Sequence, residues 1–175
     1  MDDIILIKPV PGSASDVNEY RKEFAEANEA IHGSGGLDVS ASYADWLRAC
    51  VANEKEETVP VGRVPATQYL AVRRSDRKLV GMIQIRHALN DYLWWVGGHI
   101  GYSVRKSERR KGYATQMLSA ALSECQRLGL RQVLITCEAD NLGSAGVIRA
   151  NGGVFERQII GRDGRQMDRY WVTVR

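Results

Sequence analysis

Between Arg105 and Thr115 the chain reads RKSERRKGYAT, with five basic side chains and one acid ahead of Gly112 and Ala114. These residue types in this order suit the capture of an anion. Glycine lets a ligand approach the backbone closely, and alanine keeps the following turn small. Arg105, Lys106, Arg109, Arg110 and Lys111 supply long-range attraction and optional charge-assisted hydrogen bonds. The anion itself needs main-chain donors, and the start of a helix offers unpaired N–H groups with partial positive charge. A pyrophosphate is therefore the candidate ligand. No GxxxxGK[ST] or GxGxxG run is present, which weakens kinase and dehydrogenase readings. A basic run taken alone also reads as a solvated surface loop.

The flanking elements must place that loop between a strand and a helix. Gly98 to Val104, GHIGYSV, has the make-up of a strand. After the loop, Ala114, Met117, Leu118, Ala121, Leu122, Cys125 and Leu128 recur at three and four residues, and Gly129 closes the helix. Upstream, Ile4 to Ile7 reads as a short strand, Ser13 to Ala30 as a helix, and Tyr43 to Val51 as a second helix. The polar stretch Asn53 to Pro65 reads as a loop, and Tyr69 to Val72 with Leu79 to Ile85 as a hairpin turning at Ser75-Asp76. Downstream, Val133 to Cys137 is a buried strand, Asn141 to Ala150 a short helix, Val154 to Ile160 a strand, and Met167 to Val174 the last strand, beyond an Asp163-Gly164 turn. The fold class is α/β with a mixed sheet.

Composition excludes other chemistries. With 175 residues, 44% hydrophobic and 26% charged, the chain reads as a single domain over 1–175 with its own core. A net charge of +3 gives no general argument for a polyanionic partner, although the local basic run keeps nucleic-acid binding as a rival class. His32, His87 and His99 have no HxxxH spacing, so no metal is expected, and there is no GxSxG elbow. The three cysteines, Cys50, Cys125 and Cys137, form no CxxC pair and fit a reducing cytoplasm. The apolar start is too short for a signal peptide, and no 18-residue apolar run occurs, so a cytoplasmic protein is expected.

Arg109-Arg110-Lys111-Gly112-Tyr113-Ala114 resembles the [Q/R]xxGx[G/A] pyrophosphate loop of the GNAT acetyltransferases. The similarity continues through Gly129, the strand Val133 to Cys137, and Asn141-Leu-Gly-Ser144 to Gly152, covering residues 98 to 156. The resemblance implies a mixed central sheet of about seven strands with splayed parallel strands and flanking helices. It implies acetyl-CoA as co-substrate and no metal. The backbone of Tyr102, Ser103 and Val104 would pair with the pantetheine arm. The motif residues Arg109, Arg110, Lys111, Gly112, Tyr113, Ala114 and Thr115 would hold the pyrophosphate, through the amides of Arg110 to Thr115. Asn141 would hydrogen-bond the arm from across the cleft, or simply cap a helix. Implied partners are a small-molecule amine or a protein N-terminus, with no nucleic acid and no membrane, and a homodimer left open. A non-catalytic acyl-CoA-binding regulatory module is the alternative.

Direct attack of an amine on a thioester needs a base, a polarised carbonyl and a proton for the departing thiolate. A backbone N–H near Val104 is the family's expectation for the oxyanion. His99 is the first choice for the base, because it lies near where many members place a carboxylate and histidine ordinarily titrates near neutrality. Glu138 is its rival, and Glu156 and water chains stay open. Many members carry a tyrosine acid seven residues after the asparagine, but here that place is Ile148. Ser144 is similar to a serine found in the branch resembling ribosomal-protein N-terminal acetyltransferases, and is the acid candidate. Tyr102 and Tyr170 are further options.

Overall fold

The computed structural model describes residues 2–174; the first and last residues of the expected 1–175 domain lie outside them. Seven strands form two antiparallel sheets. The first runs in the order β1 (Ile4–Ile7), β2 (Ala66–Arg73), β3 (Leu79–Arg86), β4 (Ile100–Val104). The second has β7 (Gln166–Thr173) between β5 (Gln132–Glu138) and β6 (Val154–Ile160). Four α-helices lie among the described residues: α1 (Ala14–Glu26), α2 (Tyr43–Ala52), α3 (Tyr113–Arg127) and α4 (Leu142–Ala150).

The two faces of the first sheet bury different helices. Met117, Leu118, Ala121 and Cys125 of α3 pack with Val80, Ile83, Ile85 and Ile100, and this core continues into Val133, Ile135 and Tyr170 of the second sheet. On the opposite face, Val17, Tyr20 and Phe24 of α1 and Trp46 of α2 pack on Leu70, Leu79 and Met82. Alternation along β3 makes this possible, since successive side chains point to opposite faces. A Leu or Met to Ala change in either core is worth about 2–5 kcal/mol.

The sheets meet at one place. The His99 N–H donates to Leu134 O at 2.7 Å, and the Leu134 N–H donates to His99 Nδ1 at 2.9 Å. From that point β4 runs on to Val104 and β5 to Glu138, and a cavity lined by Gly101, Tyr102, Thr136 and Cys137 opens between them. Both strands leave the junction toward the cavity, so they are parallel and diverging. This is the only parallel neighbour relation among the described strands, because every ladder within the two sheets is antiparallel.

Some boundaries move relative to expectation. The first helix stops at Glu26 instead of continuing to Ala30, because Asn28 adopts a positive φ of 52°. The loop that follows needs Gly33, at φ 69°: a Cβ there would stand 2.0 Å from Gly101 O. That contact seats Gly33 directly against the Gly101–Tyr102 peptide of β4. The aromatic stretch around Trp94 and Trp95 forms a π-helical turn, Leu93–Gly97. The buried Arg169 guanidinium holds this turn by donating to the Trp94 and Trp95 carbonyls. No helix of the described residues is long and apolar enough to cross a membrane.

Candidate functional site

The loop between β4 and α3 begins with a short 3-10 turn, Lys106–Glu108, after which Arg109 is extended. Arg110 and Gly112 then both take left-handed backbone, φ 63° and 81°. Gly112 is the residue capping α3, and no side chain caps this helix end. The first partnered amide is Gln116, which donates to Gly112 O at 3.2 Å. The six N–H groups from Arg110 to Thr115 find no acceptor among the described residues. A run of free amides at a helix start, with left-handed residues folding the backbone into a concavity, is an anion-binding geometry.

The basic side chains behave differently. Arg105 is 3% exposed and bonds Glu23 at 2.6 Å and Glu19 at 2.8 Å. Arg109 pairs with Glu29 and donates from Nε to Val104 O at 3.0 Å, while its own amide bonds Lys106 O. Lys111 bonds Glu108 at 3.0 Å. Glu108 is buried and also receives Arg73 and Lys78, each at 2.8 Å. Burial alone would raise its pKa, but hydrogen bonds from Lys78 and Lys111 and the charge of Arg73 bring it down to about 2. Three of the five cations therefore brace the loop, leaving Lys106 and Arg110 without an ion pair among the described residues. Arg109 has neither a free amide nor a free guanidinium for a ligand, unlike its neighbours up to Thr115.

Along β4 the backbone alternates. The Arg105 N–H donates to Val80 O, and the pairs Ser103↔Met82 and Gly101↔Gln84 share that phase, so their polar groups face β3. Ile100, Tyr102 and Val104 then turn theirs to the opposite edge, from which β5 has diverged. Ser103, grouped with its neighbours by the sequence, faces the other way, and its hydroxyl receives the Tyr20 hydroxyl at 3.1 Å.

Across the cleft, Tyr102 and Ser144 touch hydroxyl to hydroxyl at 2.7 Å. Burial holds the Tyr102 phenol up to about 12, with the Ser144 hydrogen bond opposing, so it stays protonated at neutral pH. Cys137, beside them, is likewise pushed up to about 11 by burial. Asn141 caps α4: its Oδ1 accepts the Ser144 N–H at 2.9 Å, which fixes the serine and leaves the Asn141 amide nitrogen free. Ile148 is fully buried and Tyr170 sits in the core, so neither reaches this cavity.

The surroundings of His99 are unfavourable for proton transfer. Its side chain is buried, its Nδ1 lone pair is occupied by the Leu134 N–H, and it is not among the cavity walls. Burial, then the nearby charge of Arg86, pushes its pKa down to about 4, which makes it a weak base. It ties the two sheets together. Glu138 does line the cavity, paired with Arg165, which also holds Asp163 at 2.7 Å.

The cavity measures about 510 Å³ and adjoins a second of about 440 Å³ beneath the 28–37 loop. His32, Gly33, Arg86 and Tyr92 line both. Of these, neither Arg86 nor Tyr92 stood out in the sequence, and His32 was weighed only as a metal ligand, because each comes from a different segment with no motif of its own. Among the described residues no group of three or more His, Cys, Asp or Glu side chains could hold a metal ion.

Comparison with known proteins agrees with this fold. The family profile described as Acetyltransferase (GNAT) domain matches residues 5–154. No curated protein sequence matches the chain. Among solved structures, the ribosomal L7/L12 alpha-N-protein acetyltransferase RimL, in complex with coenzyme A, aligns at TM-score 0.72 and 17% identity over 98% of this chain and 94% of that one. The microcin C7 self-immunity acetyltransferase MccE, with acetyl-CoA and AMP, aligns at 0.66 and 16% over 99% and 94%. A chimera of spermidine N-acetyltransferase SpeG from Vibrio cholerae and hSSAT aligns at 0.65 and 12% over 97% and 95%.

Proposed function

Because the chain belongs to the GNAT acetyltransferase family, we propose that it transfers the acetyl group of acetyl-CoA to a primary amine by direct attack within a ternary complex. The observation carrying this reading is the arc of six unpartnered amides from Arg110 to Thr115, set next to the open edge of β4. Diphosphate fits that arc, since its charge meets several preorganised donors and the helix dipole. The exposed N–H and C=O of Tyr102 suit a pantetheine arm lying beside β4 like an extra strand. The free Asn141 amide nitrogen faces it from α4.

Bound acetyl-CoA supplies an activated carbonyl and a thiolate leaving group. The Val104 N–H, whose partner strand has moved away, donates to the oxygen that gains charge during attack. The Tyr102 and Ser144 hydroxyls form a relay at the cleft: Ser144 passes a proton toward the departing sulfur, Tyr102 reprotonates Ser144, and solvent water returns the proton to Tyr102. Glu138 accepts the amine's proton directly or through water, since the central cavity offers Glu138 and Asp163 as its carboxylates and Glu138 stands on a strand. His99 keeps β4 and β5 in register at the base of the splay.

Isothermal titration of acetyl-CoA, followed by thiol release over an amine panel, tests the reading. Saturable binding with amine-dependent release of coenzyme A is expected. Absence of binding would refute it, and binding without turnover of any amine would favour a sensor.

A further inference from the structure

Arg86 is a half-buried cation with no carboxylate partner among the described residues. It stands at the end of β3, where its Nη1 donates to the carbonyls of Gly97 and Gly98 at 2.9 and 3.1 Å. Its Nε and Nη2 find no acceptor among the described residues. Burial depresses its pKa, with the nearby Tyr92 opposing. A guanidinium so placed retains donors for a planar anion that arrives later.

Its surroundings favour the same class of ligand. Arg63 lines the second cavity and Arg162 the first, and neither has an ion-pair partner among the described residues. Arg162 lies over the Tyr92 ring, 5.9 Å from its centroid. Opposing them, Glu138 and Asp163 share the single charge of Arg165, and Asp38 has no ion-pair partner among the described residues, so four arginines on these walls (Arg63, Arg86, Arg162, Arg165) face three carboxylates. The acceptor side is therefore net positive, an environment that disfavours a polyamine and favours an amine that also bears an anion.

The position of Arg86 limits how far apart the two groups can be. A Cβ built on Gly101 would lie 3.5 Å from Arg86 Nη2, so the guanidinium lies over β4 one residue before Tyr102. An anion bound there sits against the strand edge at which the acetyl group is delivered. An amine a few bonds from that anion reaches the carbonyl, whereas one at the far end of a long chain does not.

We propose that Arg86 is the acceptor anchor, and that the enzyme acetylates amines carrying a carboxylate close to the nitrogen, as in a free α-amino acid or the N-terminal Asp or Glu of a peptide. This rests on the acetyltransferase reading above. The test begins with acetyl-CoA titration of wild type and Arg86→Gln. Wild-type initial rates are then measured with α-amino acids against their carboxamides, and with C-terminally amidated peptides beginning with Asp or Glu against those beginning with Asn or Gln. Spermidine and O-phosphoethanolamine serve as controls.

Wild type should prefer carboxylate members by about tenfold or more in kcat/KM, the value of one hydrogen-bonded charge. Preference confined to the free amino acids identifies a small-molecule acceptor, and preference confined to the peptides an N-terminus. Arg86→Gln should lose that preference mainly through KM while keeping acetyl-CoA affinity, and Arg86→Lys should recover part of it. Equal or better use of carboxamides, spermidine or O-phosphoethanolamine overturns the proposal while leaving the acetyltransferase intact. Turnover of no carboxylate amine by a protein that binds acetyl-CoA overturns it too. Failure to bind acetyl-CoA removes the underlying reading instead. If Arg86→Gln does not fold, the wild-type preference and Arg86→Lys decide.

Discussion

The two sides of the cleft divide backbone and side chain in opposite ways. From Arg110 to Thr115 the amides are free, while Arg105, Arg109 and Lys111 are engaged with glutamates. On the acceptor wall the reverse holds: the Arg86 amide bonds His99 O, and its guanidinium retains unpaired donors. A ligand read by backbone depends little on which side chains surround it, provided the loop keeps its shape. A ligand read by side chains changes with each substitution. In the proposed reading, the loop before α3 would thus serve one invariant anion, and the wall around Arg86 selectivity.

The largest effect should come from reversing the loop's charge. Gly112→Glu places a carboxylate and a strained left-handed residue where phosphate would sit, and acetyl-CoA binding by titration should fall at least about a hundredfold. Unchanged affinity would break the backbone half of the comparison. Next, Ser144→Ala should lower kcat by about tenfold or more with acetyl-CoA affinity kept, within the range for a general acid. Since Tyr102 is held near 12, the rate should show no loss from its ionisation up to about pH 10, and Tyr102→Phe should not move an alkaline limb.

The bracing side chains predict a stability effect instead of a binding one. Arg105→Ala leaves Glu23 and Glu19 unpaired and should cost about 2 kcal/mol in urea unfolding, below the roughly 3–5 kcal/mol of a fully buried break because both glutamates keep contact with water. Acetyl-CoA affinity should change far less. Arg110→Ala, by contrast, should leave stability unchanged and reduce affinity a few-fold at low salt only. If Arg105→Ala abolished binding while the fold held, the side chains would be doing the work assigned to the amides.

Glu108 gives the smallest test. Its pKa is depressed in the fold, so its stabilisation is complete above the ordinary glutamate value of 4.5 and is lost as pH falls toward about 2. The difference in stability between wild type and Glu108→Gln should shrink across that window. A difference independent of pH would mean that packing, not charge, is what Glu108 supplies.

Much of the cofactor side was legible in the sequence because its signals are local. The helix after Gly112 announces itself by apolar spacing over four turns, and the glycine marks a left-handed position whatever surrounds it. Asn141 as a cap and Ser144 three residues on also follow from local chemistry. For His99 the strand position suggests a base, whereas the fold buries its ring and sets its Nδ1 to accept from Leu134, 35 residues away, a contact that no local signal records. Ser103 misled for a simpler reason: strand alternation decides which edge each residue faces, and phase depends on the partner strand.

The chain alone thus determined the order of elements, the left-handed turn before the long helix and the family, since each depends on neighbours within a few residues. Tertiary structure decided which arginines are free, because an ion pair such as Arg105 with Glu19 joins residues 86 positions apart. It also decided the acceptor wall, where the 28–37 loop, β3 and the Tyr92 turn converge only when the sheets splay. Local spacing encodes local hydrogen bonding, but a cavity is defined by segments whose meeting no short stretch of sequence records.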